Sequence, residues 1–333
     1  MSRIAILGAG AWGTALALSL ARRGGHELVL WAHSAPLAEQ LNDVGENLPY
    51  LPGFTLPADI LVTSDLPRAI FEADILLCVT PSQHLRSVIT HIAPMLTPDQ
   101  IVLSATKGIE EATFLRMSQV IASVTRNPIA VLSGPSFAQE VAAGSPTAIV
   151  AAAHNGDDSA LAHTIQRAFS SPTLRIYTNN DVIGVELGGS LKNVIALAAG
   201  VVHGLNLGHN SAAALITRGI AEITRLAVAC GARRQTLAGL SGIGDLVLTC
   251  TGPLSRNRSV GVELGRGRQL ADILAGLHGK VAEGVRSTTA ALGLASRYDV
   301  EMPITEQMDA ILHHGRSPKE AIRELMSRPG RDE

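Results

Sequence analysis

One lysine stands among neighbours that cannot neutralise its charge. Only four of the 27 Lys and Arg residues in this 333-residue chain are lysines. Three and four residues from Lys192, on either side, lie Gly188, Gly189, Ile195 and Ala196, so no acidic helix neighbour can pair with it. An amine desolvated by apolar residues gives up its proton more readily, which suits a proton donor to a carbonyl. The sequence therefore predicts Lys192 as an acid–base residue, with a surface lysine whose stem covers apolar residues as the alternative.

A carboxylate in a second apolar, glycine-rich segment could be the partner of this lysine. Asp245 lies within residues 241–250, and a buried carboxylate needs a cation or hydrogen-bond donors. An ion pair between Asp245 and Lys192 would satisfy both groups, although an Asp that caps a short helix fits the sequence equally well.

Two loops that follow apolar runs contain residues suited to ligand contact. Lys107 follows the run at residues 101–104, and residues 133–138 form a loop of small residues that opens a helical pattern. In a doubly wound sheet both loops lie at the carboxyl edge, where ligands bind. A surface lysine and a plain turn are the alternatives.

A third polar group precedes a helical pattern in the second half of the chain. Ser255, Arg256, Asn257 and Arg258 combine a hydroxyl, two guanidinium groups and an amide, which suits the recognition of a phosphate. Two arginines on a solvated loop are the alternative interpretation.

A glycine-rich hexapeptide between the first apolar run and the first helical pattern predicts a dinucleotide site. Gly8, Gly10 and Gly13 match GxGxxG, in which the glycines allow a tight turn, close approach to a pyrophosphate and close helix packing. A structural turn is the alternative. After the second apolar run, His33 and Ser34 stand where an acid would favour NAD(H), so the sequence favours NADP(H) and leaves NAD(H) open.

The elements that position these residues follow from hydrophobic periodicity. The predicted strands cover residues 4–7, 28–31, 75–79, 101–104, 129–132, 147–152 and 174–177. The predicted helices cover residues 14–23, 161–169, 190–202, 212–230, 259–264, 270–277, 284–297 and 303–328, the last divided by a proline. Prolines at residues 49–57 predict a loop. Strand and helix alternate only in the first half, which indicates an α/β class with an N-terminal Rossmann-type doubly wound, mostly parallel sheet.

The same patterns give the domain boundaries. Residues 1–180 are predicted to form the dinucleotide-binding domain, and residues 181–328 an all-α C-terminal substrate and catalytic domain. Residues 329–333, which hold Pro, Gly and charges, are predicted to be a flexible tail.

Composition argues against several classes of partner. A net charge of −2 and 3% aromatic residues give no basic face or stacking platform for nucleic acid. Three widely spaced cysteines indicate a reducing cytoplasm, and the apolar runs fall short of the roughly 20 residues of a membrane span. The histidines show no metal-ligand spacing, so we expect no metal site.

Six blocks of the sequence together resemble the bacterial NAD(P)-dependent sn-glycerol-3-phosphate dehydrogenases. The blocks cover residues 8–13, 106–110, 133–138, 188–194, 242–246 and 255–258. The resemblance extends over essentially the whole chain and implies reversible reduction of dihydroxyacetone phosphate to sn-glycerol 3-phosphate for phospholipid synthesis. Ala11 stands where relatives often carry serine, so only backbone contact with the cofactor is expected there.

The resemblance also implies roles for individual residues. Lys192 would accept a proton in the oxidation and donate one in the reduction, with Asn193 and Thr249 as supporting donors to the carbonyl oxygen. Substrate contacts are implied for Lys107, Gly134, Ser136, Asp245, Ser255, Arg256 and Asn257. Nucleotide contacts are implied for Trp12, His33, Ala138, Val281 and Glu283, with Lys107 and Arg256 also near the cofactor.

Two other functions are compatible with these residues. A different two-domain reductase could hold the carboxylate of a hydroxy or keto acid with Arg256. A protein that senses a dinucleotide without chemistry is a second alternative, against which Lys192 and Asp245 together argue. The sequence leaves open whether the apolar face of residues 212–230 is core or the seam of a homodimer.

Overall fold

A computed structural model describes residues 2–153, 159–276 and 282–330 of the chain. Val281, one of the predicted nucleotide contacts, and most of the predicted tail lie outside these residues.

The chain divides into two compact units. The first unit contains Met1–Glu110 and Leu115–Glu186, and the second contains Glu111–Phe114 and Leu187–Glu333. The sequence analysis instead placed a single boundary at residue 180.

The first unit is built on a sheet of eight strands in the order β10-β9-β8-β7-β6-β1-β2-β5. The strands of this unit are β1 Ser2–Leu7, β2 His26–Trp31, β3 Glu46–Asn47, β4 Leu51–Thr55, β5 Leu61–Thr63, β6 Ile75–Cys78, β7 Ile101–Ser104, β8 Ile129–Ser133, β9 Thr147–Ala153 and β10 Leu174–Asn179. Within the eight-stranded sheet, neighbouring strands are parallel except β8 and β9, which pair antiparallel. The prediction of a mostly parallel sheet is therefore confirmed.

Helices cover both faces of this sheet. The helices of the first unit are α1 Ala11–Arg23, α2 Ala35–Val44, α3 Leu66–Ile70, α4 Ser82–Ile92, α5 Met117–Ala122, α6 Ala138–Ala142 and α7 Ser159–Phe169. Along β1, Ile4 and Ile6 join one buried apolar cluster while Ala5 and Leu7 join the other. Since burying a side chain the size of Ile or Leu is worth about 1.5–3 kcal/mol, a strand that is apolar on both faces is stable only between two helical layers.

The segment that was predicted as a proline-rich loop folds differently. β3 and β4 form a small antiparallel pair, with a register irregularity between Glu46 and Asn47. A two-stranded ribbon tolerates Pro52 because edge strands need not use every N–H group. The prediction also missed β5, whose three residues are too few to show a period.

Helices follow the last strand. They are α8 Val182–Gly204, α9 Gly208–Ala229, α10 Arg234–Leu237, α11 Asp245–Thr251, α12 Arg256–Gly265, α13 Leu270–Ala275, α14 Glu283–Arg297, α15 Pro303–His313 and α16 Pro318–Met326. The first turn of α8 belongs to the first unit and the rest of the helix to the second. All described residues of the second unit therefore lie in helices, turns or loops, which confirms the predicted all-α C-terminal part.

The helix α8 is longer than its apolar run suggested. It has 23 residues and a mean hydropathy of 1.4 in its most apolar window, so length and composition alone would allow it to cross a membrane. That window is 94% buried inside the protein, as in the core helix of a folded domain. A second candidate consists of Arg234–Thr251 and Arg256–Gly265, which are bent by 50°.

Glycines bring α8 and α12 into backbone contact. A Cβ atom on Gly200 would lie 2.1 Å from a backbone oxygen of α12, and one on Gly261 would lie 2.0 Å from a backbone oxygen of α8. Gly204 and Gly265, one turn further along each helix, make the same kind of contact. These two helices can therefore approach only because the four positions carry no side chain.

Candidate functional site

The turn between β1 and α1 has the backbone that close approach to a phosphate requires. Gly8 has φ of +131°, and a Cβ on it would lie 2.9 Å from the carbonyl oxygen of Val79. A Cβ on Gly13 would lie 1.9 Å from the oxygen of Gly8, whereas Gly10 faces open space. Gly10 caps α1 without a side-chain hydrogen bond, and the first turn holds no acid. The N-terminal N–H groups of α1 can therefore bind an anion, and the turn fits a dinucleotide pyrophosphate.

Residues beside this turn fit the rest of a nucleotide. Ala11 and Trp12 are half-buried in the first turn of α1, and the Nε1 atom of Trp12 is a buried donor without a partner in the described chain. His33 is exposed after β2, with its ring centroid 5.6 Å from that of Trp31. The segment from Trp31 to Ser34 contains no acid that would repel a 2′-phosphate.

A buried asparagine that the sequence analysis missed holds the glycine-rich turn. Asn47, which is fully buried, donates from Nδ2 to the carbonyl oxygen of Ala9 at 2.9 Å and to Oγ1 of Thr14 at 2.7 Å. Its Oδ1 accepts a weaker bond from the N–H of Tyr50 at 3.3 Å. The small β3–β4 pair therefore fixes the conformation of the turn, and no periodicity in the sequence signals this.

At the carboxyl edge of the sheet, the structure brings three predicted residues together. Lys107 Nζ donates to the carbonyl oxygen of Gly134 at 3.0 Å, and Ser136 Oγ donates to the same oxygen at 3.0 Å. Gly134 has φ of +142°, and a Cβ there would lie 2.9 Å from Cα of Ile149. Ala138 begins α6 directly afterwards and is half-buried.

Three buried hydroxyl groups near this edge were also missed. Thr80, Ser104 and Ser133 lie at or just beyond the ends of β6, β7 and β8, and their hydroxyl oxygens have no hydrogen-bond partner among the described residues. Single serines and threonines at strand ends carry no sequence signal that separates them from ordinary core residues.

The second unit buries an ion pair. Lys192 Nζ donates to Oδ1 of Asp245 and, at 2.8 Å, to Oγ1 of Thr249. Lys192 is 7% exposed and Asp245 is fully buried. Thr249 in turn donates to the backbone oxygen of Asp245 at 2.7 Å. Nζ of Lys192 is therefore held by two oxygens inside the second unit.

The placement of this pair follows from local structure. Asp245 is the first residue of α11, which continues from the turn Leu240–Gly244, and the N-cap residue Gly244 has no side chain. A Cβ on Gly188 would lie 2.3 Å from the oxygen of Ser241, so α8 closely approaches that turn.

Burial raises the pKa of the nearby Cys250 thiol to about 12, which keeps this sulfur protonated and unreactive near neutral pH.

Next to Lys192 a chain of amides joins three helices. Asn257 Nδ2 donates to Oδ1 of Asn193 at 3.0 Å, and Asn257 Oδ1 accepts from the N–H of Gly284 at 3.0 Å. The three residues are buried and lie on α12, α8 and α14 respectively. The predicted contact Glu283, also half-buried, begins α14.

The N-terminus of α12 can bind an anion. Ser255 is buried and caps the helix, since its Oγ accepts from the N–H of Arg258 at 3.2 Å. Arg256, the first residue of the helix, is exposed to solvent. A guanidinium group at the positive end of a helix dipole suits a phosphate.

The predicted residues are thus divided between the two units. The glycine-rich turn, Lys107, Gly134, Ser136 and Ala138 belong to the first, and the residues around Lys192, Asn257 and Arg256 belong to the second. Among the described residues, no three His, Cys, Asp or Glu side chains are placed to hold a metal ion.

Comparison with known proteins identifies similar chains. Residues 3–159 match the family model described as NAD-dependent glycerol-3-phosphate dehydrogenase N-terminus, and residues 181–323 match that of the C-terminus. The chain is 62% identical to a glycerol-3-phosphate dehydrogenase [NAD(P)+] of Acidobacterium capsulatum over 100% of both chains. It is 50% identical to one of Geobacter sulfurreducens over 98% of this chain and 97% of that protein.

A solved structure agrees with these relatives. The crystal structure of glycerol-3-phosphate dehydrogenase from Coxiella burnetii superposes with a TM-score of 0.93 at 40% identity, covering 98% of this chain and 99% of that chain. The Rossmann-type sheet followed by a helical part is therefore the fold of that enzyme as well.

Proposed function

This chain belongs to the NAD-dependent glycerol-3-phosphate dehydrogenase family, and on that premise we propose that Lys192 is the acid–base residue of its reaction. The protein is an oxidoreductase that reduces dihydroxyacetone phosphate to sn-glycerol 3-phosphate with NAD(P)H. The observation that supports the proposal for Lys192 is its burial in contact with Asp245 and Thr249.

The residues of the second unit would handle the proton. A bound NAD(P)H supplies the hydride that C2 of the ketone takes up. As negative charge develops on the carbonyl oxygen, the Lys192 ammonium donates its proton to that oxygen. Asp245 stabilises the ammonium before the transfer, and Thr249 accepts one of its N–H groups, which orients Nζ. In the oxidation the neutral amine would accept the hydroxyl proton.

We assign recognition of the substrate phosphate to the N-terminus of α12. Arg256 supplies the guanidinium group and Ser255 a hydroxyl, at a helix end whose dipole favours an anion. Lys107, Gly134, Ser136 and Asn193 are the further proposed substrate contacts, and Asn257 supports them through its hydrogen bond to Asn193. Binding energy from the phosphate would orient C2, so a ketone without phosphate should lose turnover as well as affinity.

The proposed nucleotide contacts lie around the glycine-rich turn. Gly8, Gly10, Ala11, Trp12 and Gly13 would approach the pyrophosphate and its neighbouring groups. His33 would face the adenosine ribose, where the missing acid leads us to propose a preference for NADPH over NADH. Lys107, Ala138, Arg256, Val281 and Glu283 complete the proposed nucleotide contacts.

In the cell, we propose a cytoplasmic enzyme whose product supplies glycerophospholipid synthesis. The absence of cysteine pairs from the sequence pattern supports a reducing compartment.

We further propose a homodimer, because the N-terminal half of α9 leaves Ala213 and Ala214 exposed and Leu215 and Ile216 only half-buried. Sedimentation equilibrium tests this: a single species of 34.8 kDa would contradict the dimer.

A substrate panel on the purified protein tests the activity. We expect NADPH oxidation with dihydroxyacetone phosphate, and far less with unphosphorylated dihydroxyacetone or with keto acids. In the same assay Lys192→Ala should lower kcat by a factor of roughly 10² to 10⁴, while the Kd of NADPH, measured by fluorescence, stays near that of the unmodified chain. Unchanged turnover would contradict the role of Lys192, and turnover of keto acids alone would favour a different reductase.

A further inference from the structure

We propose that Asn257 is a positioning residue that fixes the direction of the Asn193 amide, so that Asn193 can only donate hydrogen bonds to the substrate. The inference rests on the proposed function, because it assigns Asn193 to the substrate site. It goes beyond that function by naming the residue that makes Asn193 a hydrogen-bond donor, and not an acceptor, toward the substrate.

The direction of the amide chain begins at a backbone group that cannot reverse. The N–H of Gly284 can only donate, and it donates to Oδ1 of Asn257 at 3.0 Å. The Nδ2 end of Asn257 must therefore point the other way, where it lies 3.0 Å from Asn193. A donor at that distance requires an acceptor, so Oδ1 of Asn193 faces Asn257 and its Nδ2 faces away. One backbone N–H thus sets the orientation of two side-chain amides, which by shape alone could face either way.

The surroundings prevent the chain from reversing. Asn193 is 5% exposed and Asn257 is 9% exposed, so water competes little for their bonds. A Cβ on Gly284 would lie 2.7 Å from the backbone oxygen of Asn193 and 2.9 Å from Oδ1 of Asn257. The N-terminus of α14 is therefore held tightly against both asparagines. Its N–H groups, which have no partner inside the helix, select an oxygen at this place.

The consequence concerns the atom left for the substrate. Within the described residues, Nδ2 of Asn193 has no hydrogen-bond partner, and Asn193 directly follows Lys192 in α8. An amide that presents only N–H groups stabilises an oxygen that gains negative charge, and it does so without reorganisation during the reaction. The reversed amide would present an oxygen and repel the same group.

The substitution Asn257→Asp tests the direction directly. The carboxylate can still accept from Gly284, but it cannot donate to Asn193, so the Asn193 amide should turn and present its oxygen. We expect kcat with dihydroxyacetone phosphate to fall by roughly 10²-fold, the effect typical of losing an oxyanion donor, with the Kd of NADPH unchanged. The matched variant Asn257→Ala removes both bonds and leaves Asn193 free to rotate, so its kcat should fall less.

A double-mutant cycle with Asn193→Ala separates this effect from the added charge. If Asn257 acts through Asn193, N257D should lower kcat by less than roughly threefold in the N193A background. An equal loss in both backgrounds would overturn the proposal, because the charge would then act directly on the substrate or on Lys192.

Folding and the basal reaction are controlled separately. Thermal melting and NADPH fluorescence establish that each variant is folded. If N257D does not fold, the double-mutant cycle of N257A with N193A replaces it. A kcat loss in the double variant equal to the product of the two single losses would contradict the proposal, and a smaller loss would support it. If the unmodified chain does not turn over dihydroxyacetone phosphate, the proposed function is wrong. If it does, but the kcat losses of the Asn257 and Asn193 variants multiply, only the inference about Asn257 is wrong.

Discussion

The two units each bury an ion pair that involves a carboxylate, but the cations differ. In the first unit Glu186 accepts from the Arg116 guanidinium and from the N–H and hydroxyl of Ser118, each of the latter at 2.7 Å. In the second unit Asp245 accepts from Lys192. A guanidinium remains charged at any pH at which the protein is folded, whereas an amine can lose its proton. A fixed charge is enough where a pair only holds structure, and a lysine is needed where a proton moves.

The strongest test of this contrast exchanges the two cations. Lys192→Arg keeps a positive charge near Asp245 but removes a proton that can be transferred, so kcat should fall by roughly 10² to 10⁴. In Arg116→Lys the charge also remains, and we expect kcat within a few fold of the unmodified chain and a loss of about 1 kcal/mol in the free energy of unfolding. Steady-state kinetics and urea unfolding measure the two effects.

Turnover by K192R close to that of the unmodified chain would break the contrast. Lys192 would then be a structural cation like Arg116, and the proton donor would have to be sought elsewhere.

The carboxylates should differ in the same way. Asp245→Asn should lower kcat roughly tenfold to hundredfold, the worth of one charge-assisted hydrogen bond to the reacting amine. Glu186→Gln leaves Arg116 with a neutral partner and should mainly lower the free energy of unfolding, by about 3 kcal/mol. A larger loss of kcat in E186Q than in D245N would contradict the division of roles.

A smaller, selective effect is expected at the phosphate contact. At saturating NADPH, Arg256→Ala should raise the KM for dihydroxyacetone phosphate about tenfold and change the residual activity on unphosphorylated dihydroxyacetone much less. Arg266→Ala, at an exposed position near the other end of α12, is the matched control. Equal KM values for R256A and the unmodified chain would place the phosphate elsewhere.

A third buried carboxylate extends the comparison. Its hydrogen bonds come from backbone N–H groups and a hydroxyl group, and not from a cation in direct contact. Glu222 on α9 accepts from the N–H groups of Ile304 and Thr305, both in the first turn of α15, and from the hydroxyl of Thr305. Burial, the largest influence, raises the pKa of the Glu222 carboxyl above its usual value. The folded chain therefore holds this proton more tightly than the unfolded chain does.

This shift gives the smallest predicted effect, a dependence of stability on pH. The stabilisation that the protonated Glu222 carboxyl gives to the folded chain is complete below the unfolded pKa of about 4.3. It is lost as the pH rises through the pKa of Glu222 in the folded chain. Glu222→Gln cannot titrate, so its free energy of unfolding should approach that of the unmodified chain as the pH is raised from 4 to 7. Urea unfolding across this range measures the difference, and a gap that widens with pH would contradict the predicted sign.

Much of the fold and one part of the site could be predicted from the sequence. Runs such as Ile75–Cys78 had to be central strands because they are apolar at every position. The contact of Lys192 with Asp245 could be anticipated because each group stands in an apolar segment and needs a partner.

The remainder depends on contacts that carry no local signal. Asn47 and Arg116 meet their partners only after the chain has folded, and neither lies in a periodic pattern. The full extent of α8 was missed because polar residues and glycines interrupt its apolar run without breaking the helix. The bond from Asn257 to Asn193 depends likewise on how closely α8 and α12 can approach.

The backbone contact between α8 and α12 bears on how new substrate specificities could be engineered. Gly200 and Gly261 each pack against backbone atoms of the other helix. The register between the two helices therefore does not depend on the substrate-site side chains that a mutant library would vary. Replacing Arg256 or Ser255 should therefore alter which acidic group is accepted without displacing Lys192. Any bulkier residue at the glycines should abolish activity whatever is placed in the pocket.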